Sequence, residues 1–344
     1  LIRFNNDYNR SAHPDIIQAL ENTNSESYGG YGIDTWCESA CAEIKKYLGS
    51  NNCDIHFLVG ATQANYTIIA SALRPFESII CADSGHINVH ETGAVENTGH
   101  KITALTAKDG KITASQIAAQ AELFSQSKIK EHITEPKLVY ISFPTEYGTI
   151  YKKQELKEIS DVCKKYGMYL FADGARLGYG LGSDECDLTL SDLASLTDVF
   201  YIGGTKCGAL FGEAVIITNN ELKKNFRSYM KQNGALLAKG WLLGIQFYTL
   251  FKNGLYFDIT KKADALALQI KKAFAEKGIQ PYIDSSTNQQ FMVLPNSLTE
   301  KLSKKYIFEF EAKIDEENSC VRFCTSWGTS ESDVNTLIDD IHKL

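Results

Sequence analysis

Between Asp54 and Thr218, short apolar runs alternate with amphipathic segments, and this alternation limits the fold more than any other feature. Strand-length runs are expected at Asp54–Val59, Ile79–Ala82, Lys101–Leu105, Leu138–Ser142, Met168–Ala172, Val199–Ile202 and Glu213–Thr218. Helices are expected between them. One follows Gly60 and carries Ile68, Ile69, Ala72 and Leu73; one spans 84–94; one begins at Thr113. Another spans 153–166, where Leu156, Ile159, Val162, Cys163 and Tyr166 share a face before Gly167. Such βα alternation gives an α/β fold, a mostly parallel sheet with helices on both faces. The strand at 213–218 is expected to return antiparallel.

The flanks are read in the same way. Residues 1–12 are extended, Pro14 starts a short helix to Leu20, and Tyr28–Asp34 is a glycine-rich loop. Asp34 or Thr35 caps a helix to Leu48, which Gly49 ends. After residue 219, helices are expected at 219–232, 235–252 and 256–277. Strands follow at 289–294, 306–312 and 320–325, with a last helix from about Ser330. Residues 1–250 are thus expected to form a large domain, and 251–344 a smaller α+β domain.

Two strand ends carry chemistry. Val199-Phe-Tyr-Ile202 runs into Gly203-Gly-Thr-Lys206-Cys-Gly208, where no amphipathic helix can be drawn. Glycines permit close backbone approach, and a lysine on such a turn is placed to form a Schiff base with a carbonyl cofactor. A lysine simply pointing to water is the plainer alternative. Thirty-three residues upstream, Asp173-Gly-Ala-Arg176 follows the strand at 168–172. Ligands of open α/β sheets bind at the carboxyl ends of strands. A carboxylate there suits the pyridinium nitrogen of pyridoxal phosphate, with Lys206 on its aldehyde. The small-residue turn Gly60-Ala61-Thr62 into a helix offers N–H groups and a hydroxyl to an anion such as a phosphate.

Composition narrows the class. The net charge is −7, and no Lys/Arg block exceeds two residues, which argues against a nucleic-acid partner. Apolar runs are strand-length, so no membrane span is expected. The nine cysteines form no CxxC and sit largely in apolar contexts, and no secretory leader is visible, which together suggest a cytoplasmic protein with reduced thiols. His86 and His90 have helical i,i+4 spacing, but no third ligand motif accompanies them, so no metal is expected.

Several motifs in order carry a resemblance: Tyr31-Gly-Ile-Asp34, Gly60-Ala-Thr-Gln-Ala-Asn65, His86-Ile-Asn-Val-His-Glu-Thr-Gly93, Pro144-Thr-Glu-Tyr-Gly148, Asp173-Gly-Ala-Arg176, Gly203-Gly-Thr-Lys206 and Val321-Arg-Phe323. Across nearly its whole length the chain resembles the pyridoxal-phosphate-dependent threonine aldolases of the β-eliminating lyase group, of fold type I. The resemblance implies that Lys206 binds the cofactor covalently, Asp173 pairs with its ring nitrogen, and His86 stacks on its face. Ala61 and Thr62 would hold the phosphate. Arg176 would serve cofactor and substrate, and Arg176 and Arg322 would grip the substrate carboxylate. Asn6 stands where many relatives have a serine touching that carboxylate. Sites of this group are shared between subunits of a homodimer or homotetramer, so Lys231 and Tyr31 become candidates for serving a neighbour's cofactor and substrate.

The implied reaction is retro-aldol cleavage of threonine, allo-threonine and related β-hydroxy-α-amino acids to glycine and an aldehyde. Many relatives carry a second histidine in a Thr-His-Asn-Gly segment; here the segment is Thr145-Glu146-Tyr147-Gly148, similar to a bacterial low-specificity subgroup. That leaves two bases for the β-hydroxyl proton, a water on His86 or Glu146 itself. A β-eliminating lyase or an amino-acid racemase with the same cofactor is the alternative. A homologue without catalysis is argued against by the joint presence of Lys206, Asp173, His86 and Arg322.

Overall fold

The computed structural model describes residues 1–344. In chain order its elements begin with β1 (Ile2–Arg3), α1 (Pro14–Thr23), α2 (Thr35–Leu48), β2 (Asp54–Leu58), α3 (Ala61–Ala72), β3 (Glu77–Ala82), α4 (His86–Val89) and β4 (Lys101–Leu105). Next come α5 (Ala114–Gln126), β5 (Glu135–Ser142), α6 (Lys153–Tyr166), β6 (Tyr169–Asp173), α7 (Leu177–Gly182), α8 (Leu190–Leu196), β7 (Val199–Gly203) and β8 (Glu213–Ile217). The remainder is α9 (Asn220–Lys223), α10 (Phe226–Gln232), α11 (Trp241–Phe251), α12 (Leu255–Glu276), β9 (Pro281–Ile283), β10 (Gln289–Pro295), α13 (Asn296–Ser303), β11 (Tyr306–Ile307), β12 (Glu309–Lys313), β13 (Asn318–Cys324) and α14 (Glu331–His342).

The expected α/β architecture is present. Seven strands form a central sheet in the order β2-β8-β7-β6-β5-β3-β4. It is parallel except for β8, which runs antiparallel to both β2 and β7. Side chains alternate between two buried faces. Leu170, Ala172, Phe200, Ile202, Ala214 and Ile216 join one apolar cluster. Phe171, Val199, Tyr201, Val215 and Ile217 join the other. Burial of each such side chain contributes about 1.5–3 kcal/mol, which is why these strands read as unbroken apolar runs.

Local signals set the helix ends. Asp34 Oδ1 accepts from Cys37 N at 2.8 Å, Thr113 and Gln116 cap α5 reciprocally, and Gly49 and Gly167 close α2 and α6 in the left-handed conformation.

The second sheet is antiparallel, in the order β12-β13-β10-β9, and packs with α12 and α14 around Phe274, Met292, Val321 and Phe323. Phe4 enters this core too, because β1 pairs in parallel with β11.

Four segments differ from expectation. The helix expected at 84–94 is the single turn α4, after which Thr92 and Gly93 take positive φ and fold the chain back. The helix expected at 219–232 is split into α9 and α10 by Asn225, whose φ is 58°. α11 begins only at Trp241, after a loop that includes Gly240, and 306–312 divides between β11 and β12 because the two halves pair with different partners. α7, α8, β9 and α13 are additional to the expected elements.

Candidate active site

Adjacent strand ends are brought together by glycine. Gly203 N donates to Gly174 O at 2.9 Å, and a Cβ on Gly174 would lie 1.8 Å from the Tyr201 carbonyl oxygen. Gly203 itself leaves only 2.3 Å to the Ala175 carbonyl oxygen for a Cβ. Close approach, rather than positive φ, is therefore what Gly174 and Gly203 supply; the positive dihedrals in this turn belong to Gly208, φ 103°, and Gly212, φ 121°. Asp173 and Lys206 consequently line the same cleft.

The Asp173 carboxylate is surrounded by donors. Oδ2 accepts from Tyr140 Oη at 2.6 Å and Asn65 Nδ2 at 3.1 Å, and Oδ1 accepts from Ala175 N at 2.9 Å. Burial pushes the Tyr140 hydroxyl well above its usual range, which keeps it a donor. The network continues to a residue that the sequence reading passed over. Asn65 Nδ2 also donates to Glu91 Oε1 at 2.7 Å, and the same oxygen lies 2.8 Å from His86 Nδ1. Glu91 is fully shielded, while His86 is about a third exposed and faces the cleft. A carboxylate on Nδ1 makes that nitrogen the donor and leaves Nε2 as the free end of the ring.

Glu146 closes the circuit from the other side. Its Oε1 accepts from Ser142 Oγ at 2.6 Å and from the His86 backbone N at 2.8 Å, and Ser142 Oγ lies 3.3 Å from Tyr140 Oη. Removal from bulk water raises the Glu146 carboxyl, partly offset by these donors. The Lys206 amine is lowered by burial and then by Arg176, which increases its share of the nucleophilic free base. Glu213, a second residue missed in the sequence, sits beneath it on β8. Its oxygens accept from Thr205 Oγ1 at 2.8 Å and Gly204 N at 3.1 Å, and burial raises its carboxyl.

Both expected arginines reach the cleft. Arg176 is held bidentately by the buried Asp7, Nε to Oδ2 at 2.7 Å and Nη2 to Oδ1 at 3.1 Å, which leaves Nη1 for a ligand. Arg322 Nη1 lies 3.2 Å from Glu311 Oε1. Each arginine in the cleft has a carboxylate partner within 3.2 Å, and the Lys206 amine has no such partner.

The other candidates are placed less uniformly. Ala61 lines the cleft at the start of α3, where Gly60 supplies no side-chain cap and leaves the first-turn N–H groups open; Thr62 is exposed beside it. Asn6 accepts from Tyr8 N at 3.1 Å. Tyr31 and Lys231 do not join the Lys206 group. Lys231 Nζ stands 4.9 Å from the Tyr31 ring, and Tyr31 lines a separate, more apolar cavity of about 330 Å³.

The donor set fits pyridoxal phosphate: an unpaired amine, a fully buried acid fixed by three donors, an imidazole above the same cleft, and an uncapped helix start. Residues 14–294 match the family model described as β-eliminating lyase. The low specificity L-threonine aldolase of Pseudomonas sp. (strain NCIMB 10558) is 30% identical over 339 residues, 96% of this chain and 94% of that protein. A solved threonine aldolase of Leishmania major superposes with a TM-score of 0.97 at 42% identity, covering 100% of this chain and 99% of the other. The putative L-allo-threonine aldolase of Listeria monocytogenes EGD-E has a TM-score of 0.73 at 17% identity, with 97% and 96% covered, and shares the fold. The chain belongs to the β-eliminating lyase family, among its pyridoxal-phosphate-dependent threonine aldolases.

Proposed function

We propose that this lyase cleaves the Cα–Cβ bond of threonine, allo-threonine and related β-hydroxy-α-amino acids, releasing glycine and an aldehyde. The observation that carries the reading is the convergence of Lys206, Asp173, His86 and two arginines on one cleft at the carboxyl ends of β5, β6 and β7. Pyridoxal phosphate, when bound, supplies an electron sink for the pair left at Cα. Lys206 would carry it, Asp173 would hold its ring nitrogen, and the open N–H groups at Ala61 and Thr62 would receive its phosphate.

The remaining work belongs to side chains. Arg322, with Arg176 Nη1, holds the substrate carboxylate and so sets which bond at Cα is broken. His86 Nε2, held by Glu91 behind it, takes the β-hydroxyl proton through a water molecule. Glu146 anchors the His86 backbone beside that water. Tyr31 and Lys231 lie together but apart from their own Lys206, which supports a homodimer or homotetramer in which they serve a neighbour's cleft. No helix is long and apolar enough to cross a membrane, and nine free thiols, seven of them buried, support a reducing cytoplasmic location.

The test is a panel of L-threonine, L-allo-threonine, phenylserine and serine assayed for aldehyde and pyruvate. Aldehyde from both threonines is the expected result. Pyruvate from serine without any aldehyde would instead make the protein a β-eliminating lyase in activity.

A further inference from the structure

Arg322 is the cationic group of the cleft whose open end is already taken. Its Nη1 lies 3.2 Å from Glu311 Oε1, and Nη2 donates to the Asn5 carbonyl at 3.2 Å. Nε is shut away from solvent and has no partner. A carboxylate arriving from the cleft therefore meets only the terminal nitrogens. Glu311 lines the same cleft, so the two carboxylates compete for one face of one guanidinium.

We propose that Glu311 is an internal occupant of the substrate-carboxylate subsite, displaced from Arg322 Nη1 by each incoming amino acid, and that it thereby sets how weakly amino acids are held. This rests on the cleft being an amino-acid site. Three observations separate a displaceable occupant from a fixed orienting partner. The first is backbone placement. Phe310 pairs with Val321 and Ala312 with Cys320, so Glu311 is the extra residue of a bulge on β12 and has no cross-strand partner. Bulges re-aim side chains and occur beside active sites. β12 is also an edge strand, with its outer side unpaired.

The second is exposure. The Glu311 side chain is 29% exposed, so on leaving Arg322 it turns to water and no charge is stranded. Glu309, two residues away and lining the same cleft, adds a like charge beside it. The third is contrast within the same cleft. Asp7 is wholly buried and grips Arg176 with both oxygens, as an orienting partner does, whereas Glu311 makes one contact at a partly open end.

The experiment uses holoenzyme of the unaltered protein, Glu311→Gln and Glu311→Ala. It reads the KM for L-threonine, the Kd for glycine by calorimetry, and the Kd for 1-aminopropan-2-ol, which is threonine's skeleton without the carboxylate. Both variants should lower the threonine KM and glycine Kd by about two- to fivefold, the range of a partly exposed ion pair. The amino-alcohol should bind each protein alike. An unchanged or weaker affinity for glycine in either variant overturns the proposal, and so does equal tightening towards the amino-alcohol. If the unaltered protein neither cleaves threonine nor binds glycine, the amino-acid reading fails and the proposal falls with it; cleavage with no gain in the variants sinks the proposal alone.

Discussion

Lys206→Ala should leave the fold intact, because the strand end is held by backbone groups: Tyr179 Oη donates to the Lys206 carbonyl at 2.6 Å and Tyr256 Oη to the Gly203 carbonyl at 3.0 Å. Borohydride treatment followed by intact-mass measurement should show the cofactor's added mass on the unaltered protein and none on the variant, with cleavage abolished. Glu91→Gln removes the charge that orients His86 from behind. kcat/KM for threonine should fall by roughly tenfold or more, the size of one charge-assisted hydrogen bond, while the mass after borohydride still shows cofactor. Glu146→Gln keeps an acceptor for both Ser142 and the His86 backbone N, so cleavage should fall by less than about tenfold and the threonine to allo-threonine ratio should shift. A loss in the range of roughly 10²–10⁴-fold for both substrates would make Glu146 the base itself. Lys206 and Asp173 were legible because each follows a strand-length run that helical periodicity cannot explain, whereas His86, in a segment that looked helical, was legible only through the resemblance. Glu91 and Glu213 were not. One lay in a segment that looked helical, and the other is a single acid in an apolar strand, with nothing in the sequence to say which carboxylates become buried.

The turn between β5 and α6 shows what one element asks of its residues. Gly148 has a φ of 75°, and its carbonyl accepts from Ser285 Oγ and Thr287 Oγ1, both at 3.2 Å. A Cβ there would approach Ser285 Oγ to 2.2 Å. Gly148→Ala should therefore cost at least about 1–2 kcal/mol from backbone conformation alone, read as a lower urea midpoint with unchanged slope. Because Tyr147 packs its ring edgewise on Phe291 at 5.8 Å, the same change should also disturb the seam between the turn and the second sheet. Elements of this kind explain where sequence reading succeeded. The inner strands β3, β5, β6, β7 and β8 are buried on both faces and announce themselves as apolar runs. α4 failed the same test because His86, Ile87 and His90 have helical spacing, yet the loop that follows is ordered by a long-range contact from Glu91 to Asn65, and periodicity carries no information about it.

At the scale of the whole molecule, one buried acid works against stability. Asp264 on α12 is 2% exposed, no side chain pairs with it, and burial raises its carboxyl well above the usual range, offset only in part by the Asn288 backbone. A raised folded-state value means that the folded protein binds this proton more tightly than the unfolded chain. Its stability contribution is complete below the ordinary carboxylate value and is lost as pH rises through the folded one. Asp264→Asn should accordingly stabilise the protein at pH 7 by about 1–3 kcal/mol, and the gain in Tm should shrink towards pH 4. The opposite trend would mean that Asp264 is paired in solution. The first residues of the chain have a consequence of another kind. Ile2 pairs with Tyr306, Phe4 O accepts from Cys324 N at 2.7 Å, Asn5 O accepts from Arg322, and Asp7 binds both Arg176 and Asn288. This opening segment thus finds most of its partners far along the chain, in β11 and β13 and just before β10. Closing a loop over roughly three hundred residues makes this docking slow. Because β13 carries Arg322, a protein cut short before that strand would keep Lys206 and Asp173 but lose this arginine from the cleft.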